Sequence, residues 1–140
     1  MIPCILLVEN EPDFRFAATV VLQKEGYKVV EASDGEDALV RIREFRNGGE
    51  RIDLLLTDLR MPFLCGLELI DGMRALGVEI PVIAMTGYCD DALVADLKLK
   101  GCTEFMEKPF EPHDLVARVQ RVLKGLAIEE EGYEGRNAGG

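Results

Sequence analysis

The sequence predicts an α/β protein, a three-layer sandwich with a central five-stranded parallel sheet in (βα)5 order. Two observations predict it. Along the 140 residues, short unbroken apolar runs alternate five times with stretches of helical spacing. The runs are rich in Ile, Leu and Val, as strands buried on both faces require, and parallel strands need the crossovers that the intervening helices supply.

Each element has its own signal. Cys4 to Val8 is a continuous apolar run and reads as the first strand. From Pro12 to about Glu25 the period is helical, with Phe16, Val20 and Val21 on one stripe, Pro12 in the first turn and Gly26 as the stop. Tyr27 to Glu31 is the second strand. Asp34 caps a helix through Phe45, with Ala38, Leu39 and Ile42 inward, and the glycines of "NGG" break it. Ile52 to Thr57 is the third and most apolar strand, followed by a loop containing Met61-Pro62 and a helix from about Gly66 to Leu76. "IPVIAM" is the fourth strand, Asp90 to Lys100 a helix, Thr103 to Met106 a short fifth strand, and Pro112 to Leu123 a last amphipathic helix. After Lys124 the chain turns polar and glycine-rich without periodicity, so residues 1–124 read as one domain. Residues 125–140 read as a disordered tail, or a linker toward a further domain.

In sheets of this kind ligands bind outside the carboxyl ends of the strands. The residues there are Glu9, Asn10 and Glu11, then Asp58, then Thr86 and Gly87, then Lys108. Carboxylate and amide oxygens suit a hard cation such as Mg²⁺, which keeps several waters. Lys108 and Thr86 supply donors suited to a phosphoryl group. An Asp beside both is a candidate nucleophile for an aspartyl phosphate, and Asp58 is that candidate. Singly, each has a plainer role: Asp58 closing a turn, Glu9 and Glu11 as solvated charges, Asn10 as a turn former, Thr86-Gly87 as a tight turn, Lys108 on the surface. Jointly, at one sheet edge, they point to a site.

Four segments, "ILLVENEPDFR", "LLLTDLRMP", "VIAMTGY" and "EFMEKPF", resemble the signature segments of the receiver domain of two-component response regulators, in the same order and at similar spacing over roughly residues 2–124. The resemblance implies a flavodoxin-like fold with Asp58 as phosphoacceptor, Thr86 as the hydroxyl that reorients toward the phosphoryl group, and Lys108 as the cation that binds it. It implies that Phe105 is the aromatic switch, that the Lys108-Pro109 peptide is cis, and that the Arg60 backbone carbonyl joins Glu9, Asn10 and Asp58 around Mg²⁺. A sensor histidine kinase or phosphotransfer protein would be the phosphoryl donor. The face of the fourth helix, fifth strand and fifth helix would bind a downstream protein or a second copy, exposing Asp96, Lys100, Arg118 and Arg121. Phe105 also has the plainer reading of a fixed core aromatic.

One position departs from the family pattern. Receivers carry two acidic residues after the first strand, and here the pair is Glu9-Asn10. The first exchange keeps the charge. The second removes one, and at an effective dielectric of about 20 a unit charge about 4 Å away is worth roughly 4 kcal/mol before the saving in desolvation. Even half of that would weaken Mg²⁺ binding more than tenfold. Glu11 is an alternative metal ligand. Two readings stay open: a receiver phosphorylated with weakened metal dependence, or a phosphorylation-independent binding module.

Composition narrows the classes further. Sixteen basic against twenty-six acidic residues give a net charge of −10, which repels a phosphate backbone, so no direct nucleic-acid contact is expected. No apolar stretch reaches the about eighteen residues of a membrane span, and no leader pattern opens the chain, so a cytoplasmic protein is expected. Cys4, Cys65, Cys89 and Cys102 form no C-x-x-C pair and read as reduced packing residues, with zinc or disulfides as distant alternatives. Neither G-x-G-x-x-G nor G-x-x-x-x-G-K-[ST] is present, and "ENEPDF" is acidic where a flavin phosphate would need glycines or hydroxyls, so no nucleotide-dependent enzyme is expected. His113, the single histidine, reads as an exposed first-turn residue.

Overall fold

The computed structural model describes residues 2–61, 64–87 and 90–130. Its elements follow in the order β1 (Cys4–Val8), α1 (Pro12–Lys24), β2 (Lys28–Ala32), α2 (Gly35–Asn47), β3 (Leu54–Asp58), α3 (Gly66–Ala75), β4 (Val82–Thr86), α4 (Asp91–Leu99), β5 (Glu104–Glu107) and α5 (Pro112–Glu130). The strands pair in parallel in the order β2-β1-β3-β4-β5. Strand order reverses beside β1, which places the switch point of the topology between β1 and β3, where a ligand crevice belongs.

Alternation along the strands builds two cores. Leu6, Val8, Leu55 and Ala84 face one side and pack with Ile42, Ile70, Met73 and Leu97 of α2, α3 and α4. Ile5, Leu7, Leu56 and Met85 face the other and pack with Ala18 and Leu22 of α1 and Leu115 and Val119 of α5. Every residue of β1, β3 and β4 is buried, whereas the edge strands β2 and β5 are partly exposed. The unbroken apolar runs follow from burial on both faces.

The helix ends follow ordinary chemistry. Asp34 Oδ1 accepts from Asp37 N at 2.8 Å and Asp90 Oδ1 from Leu93 N at 2.8 Å, so both aspartates cap their helices. Gly26 ends α1 at φ +93°, a conformation that favours glycine.

Three expectations are corrected. The inward stripe of α1 is Phe14, Ala18 and Leu22 with Thr19, and Phe16 is 68% exposed; rows of i, i+4 starting at Phe14 face the sheet, and Phe16 lies two residues, about 200°, around the helix. Helix α5 continues to Glu130, past Lys124, because a single Gly125 costs only about 1 kcal/mol and strong helix formers follow it. Lys100 turns to α3, its Nζ 2.7 Å from Asp71 Oδ2, and so leaves the face on which Asp96 and Arg121 are exposed and Arg118 is half-buried. Residues 131–140, Pro62 and Cys89 lie outside the described residues. Cys4, Cys65 and Cys102 are free thiols. Among the described residues no helix is long and apolar enough to cross a membrane.

Candidate phosphoacceptor site

Three strand ends meet around one ammonium. The Glu9 backbone N–H, just past β1, donates to Ala32 O at 3.1 Å, extending the strand pairing by one residue and turning the side chain inward. Glu9 is 1% exposed. Its Oε2 accepts from Glu11 N at 3.0 Å, and its Oε1 lies 2.6 Å from Lys108 Nζ. Asp58 ends β3; its Oδ2 is 3.2 Å from the same Nζ, and its Oδ1 accepts from Arg60 N at 3.2 Å. One cation thus bridges two buried carboxylates from distant parts of the chain, and removing it would leave both without their shared counter-charge.

Burial pushes the Glu9 carboxyl above the usual range, and the Lys108 ammonium and Glu11 N–H only partly oppose it. Burial works against the Lys108 ammonium too, but Glu9 and Asp58 outweigh it and hold Lys108 above the ordinary lysine value. The lysine is therefore charged at neutral pH.

Backbone geometry ties the remaining groups to this centre. The Lys108 N–H donates to Thr86 O at 2.7 Å, and Thr86, at the end of β4, is fully buried. The Lys108-Pro109 peptide is cis, as the resemblance implied. Gly66 N donates to Leu59 O, and a Cβ at Gly66 would stand 2.5 Å from Asp58 O, so only glycine lets the β3–α3 loop close this tightly. Gly87 and Arg60 are exposed beside the site, and so is Asn10, in the turn between β1 and α1. Phe105 is half-buried and packs against the core on the α2–α4 side.

The Glu11 side chain does not cap α1; its contribution to Glu9 is the backbone N–H. His113 is exposed, as expected. Two residues that the sequence reading did not single out are present. Arg15 Nη1 donates to Glu9 O at 2.7 Å and its Nε to Glu31 Oε1 at 3.0 Å, fixing the turn that carries Glu9 and Asn10. The Phe14 ring lies under Lys108 Nζ, 4.2 Å from its centroid. The signal for Arg15 was its position four residues after Glu11, one turn into a helix that starts at the strand ends.

The donors at this edge fit Mg²⁺. They are hard oxygens: two adjacent carboxylates, with an amide and a backbone carbonyl in the flanking turns, and Mg²⁺ is commonly held by one or two carboxylates plus phosphate and water. Among the described residues no group of three or more His, Cys, Asp or Glu forms a cage that would hold a metal unaided.

Comparison with known proteins agrees with this geometry. Residues 5–120 match the family model "Response regulator receiver domain". The chain is 33% identical over 120 residues to the DNA-binding response regulator MtrA of Mycolicibacterium smegmatis, covering 86% of this chain and 50% of that protein. It is 30% identical over 131 residues to the transcriptional regulatory protein FixJ of Rhizobium meliloti, covering 94% of this chain and 62% of that one. It superposes on the chemotaxis protein CheY4 of Vibrio cholerae with a TM-score of 0.81 at 28% identity, covering 88% of this chain and 100% of that one. The chain therefore spans half to three-fifths of these two curated relatives.

Proposed function

The chain belongs to the response-regulator receiver family, and from that premise we propose that it accepts a phosphoryl group on Asp58 from the phosphohistidine of a sensor kinase or phosphotransfer protein in the cytoplasm. Receiver domains are signalling modules, and as a family they bind Mg²⁺ in the acidic pocket at the strand ends. The observation that carries the proposal is the Lys108 ammonium bridging Glu9 Oε1 and Asp58 Oδ2 at 2.6 and 3.2 Å.

An Asp58 oxygen attacks phosphorus, the P–N bond to the donor histidine breaks, and the imidazole leaves with the electron pair. A carboxylate nucleophile attacks with its own lone pair and has no proton to lose, so the step needs no base. Lys108 neutralises charge on the transferred oxygens, and the backbone N–H of Gly87 and the hydroxyl of Thr86 hydrogen-bond them. Glu9, Asp58, the Asn10 amide oxygen and the Arg60 carbonyl would hold Mg²⁺, which supplies further neutralisation of the phosphoryl oxygens. Asn10 offers one charge fewer than an aspartate, so this pocket binds the ion more weakly than the Asn10→Asp variant does.

The phosphorylated state draws Thr86 toward the phosphoryl group and lets Phe105 turn inward, reshaping the face of α4, β5 and α5. A groove of about 280 Å³ between Leu97, Cys102, Phe105 and Arg118 lies on that face. A downstream protein or a second copy docks there.

The test is intact-protein mass after incubation with acetyl phosphate, with and without Mg²⁺. A phosphoryl adduct that disappears in Asp58→Ala is expected. No adduct in the wild type but one in Asn10→Asp would instead mean a receiver fold whose chemistry is switched off at the amide, leaving phosphorylation-independent protein binding as its role.

A further inference from the structure

A lysine ammonium sits on a flexible four-carbon stem, and two carboxylates on one side fix its direction only as long as both keep their charge. Once Asp58 becomes an acyl phosphate, one of those carboxylates is gone and the ammonium must serve phosphoryl oxygens instead. A partner that does not change during this exchange is the Phe14 ring, on the first turn of α1, with its centroid 4.2 Å from Nζ. The ring is braced in turn by Phe110, which meets it edge-on at 5.6 Å and 85°. Phe110 follows Lys108 by two residues, so the cis peptide segment carries both the cation and the brace for the ring beneath it.

The contact is closer and drier than a second one among the described residues. Lys28 stands 5.5 Å from the Phe45 centroid with its side chain 55% exposed. Lys108 is closer, and its side chain is 22% exposed. Water screens the first contact and is largely excluded from the second, where attraction between a cation and a ring face is strongest.

We propose that Phe14 is a positioning residue for Lys108: its ring face holds the ammonium between Glu9 and Asp58 before transfer and over the phosphoryl oxygens after it. The proposal rests on Asp58 being the phosphoacceptor, but it predicts a signature that needs no phosphorylation. Ring current from Phe14 shifts the Lys108 ε-methylene protons upfield of the other lysines, in a spectrum of protein labelled at the lysine ε-carbon and assigned with Lys108→Arg.

The experiment pairs that spectrum with the rate of adduct formation from acetyl phosphate for the wild type, Phe14→Tyr and Phe14→Met. Tyrosine keeps the ring, and methionine keeps apolar bulk without it. The expected result is an upfield Lys108 signal in the wild type and Phe14→Tyr, its loss in Phe14→Met, and a roughly three- to tenfold slower adduct in Phe14→Met alone. Should Phe14→Met not fold by circular dichroism, Phe14→Leu replaces it. A wild-type Lys108 signal at the ordinary lysine position overturns the proposal without any variant, as does a Phe14→Met rate equal to wild type. If the wild type forms no adduct that Asp58→Ala abolishes, the phosphoacceptor reading fails, while the spectrum still decides where the ring holds the ammonium.

Discussion

Replacing Lys108 by Met removes the cation shared by two buried carboxylates, and the cost is calculable from their distances. At an effective dielectric of about 20, charges 2.6 and 3.2 Å apart attract by roughly 6 and 5 kcal/mol. Desolvation of the ammonium takes back several kcal/mol, and its 22% exposure adds screening. A net loss of about 3 kcal/mol is expected, the low end of the range for breaking a buried pair. For a domain of this size that lowers Tm by about 10 °C.

The deficit carries a pH signature. Burial already raises the Glu9 carboxyl above its usual 4.5 with the lysine in place, and losing the lysine raises it further. A carboxyl whose folded pKa lies above the unfolded value contributes stability that is present below the unfolded value and lost as pH rises through the folded one. The penalty of Lys108→Met therefore grows as pH rises through the folded Glu9 value and shrinks as pH falls toward 4.5. Urea unfolding followed by circular dichroism at several pH values measures it, and the double variant Glu9→Gln/Lys108→Met, with one buried charge fewer, recovers part of the loss. A cost under about 1 kcal/mol at pH 7, or one that does not vary with pH, would refute the reasoning, since an exposed ion pair behaves that way.

Three further outcomes follow from other parts of the fold. Asn10→Asp restores a charge at the β1–α1 turn and raises Mg²⁺ affinity at least about tenfold by calorimetry; equal affinities would place the amide outside the metal's reach. Gly66→Ala puts a Cβ 2.5 Å from Asp58 O and 2.9 Å from Leu59 Cα, so thermal unfolding should show a loss of about 1–3 kcal/mol and adduct formation at Asp58 should slow. The Thr19 hydroxyl is buried in α1 without a hydrogen-bond partner; Thr19→Val should raise stability by about 1 kcal/mol in urea, and a fall would show that the hydroxyl is satisfied.

The strands β1, β3 and β4 were legible because burial on both faces leaves a run of apolar side chains to read, broken only by the polar Thr57, Asp58 and Thr86 at the carboxyl ends. Their boundaries shifted where a tertiary contact intervened. The apolar run of β3 opens at Ile52, but the strand begins at Leu54, because the Asp53 carboxylate accepts from Cys4 N at 2.8 Å just before the ladder starts. The stripe of α1 was misread because Phe14 and Phe16 are the same hydrophobe two residues apart, and position relative to the sheet decides which one turns inward. The site residues were legible as strand ends. What spacing does not encode is which strand ends touch: Lys108 and Glu9 are 99 residues apart in sequence, and Phe14 and Arg15 belong to the site only because α1 begins where β1 stops.

Lys108 also explains how a charge change at Asp58 would reach the far face. Its side chain answers to Glu9 and Asp58, while its main-chain N–H holds Thr86 O at 2.7 Å. One residue thus carries both the ammonium at the site and the backbone link between the ends of β4 and β5. Further back along β5, Arg118 donates to Phe105 O and to Glu104 Oε1, both at 3.0 Å, and Arg121 grips both oxygens of Glu104. A carboxylate held by two guanidinium groups ties β5 to α5. Helix α4 is attached differently: Leu97 is its one buried residue, and the contact of Lys100 with Asp71 ties its end to α3. Of the two helices on this face, α4 buries fewer residues than α5, where Leu115, Val119 and Val122 are buried, and so it opens more cheaply. A displaced Thr86 is thus expected to act by shifting α4 against a fixed β5–α5 unit, and hydrogen exchange should then change along Asp91–Leu99 on beryllofluoride binding while Val119 and Val122, buried in α5, stay protected.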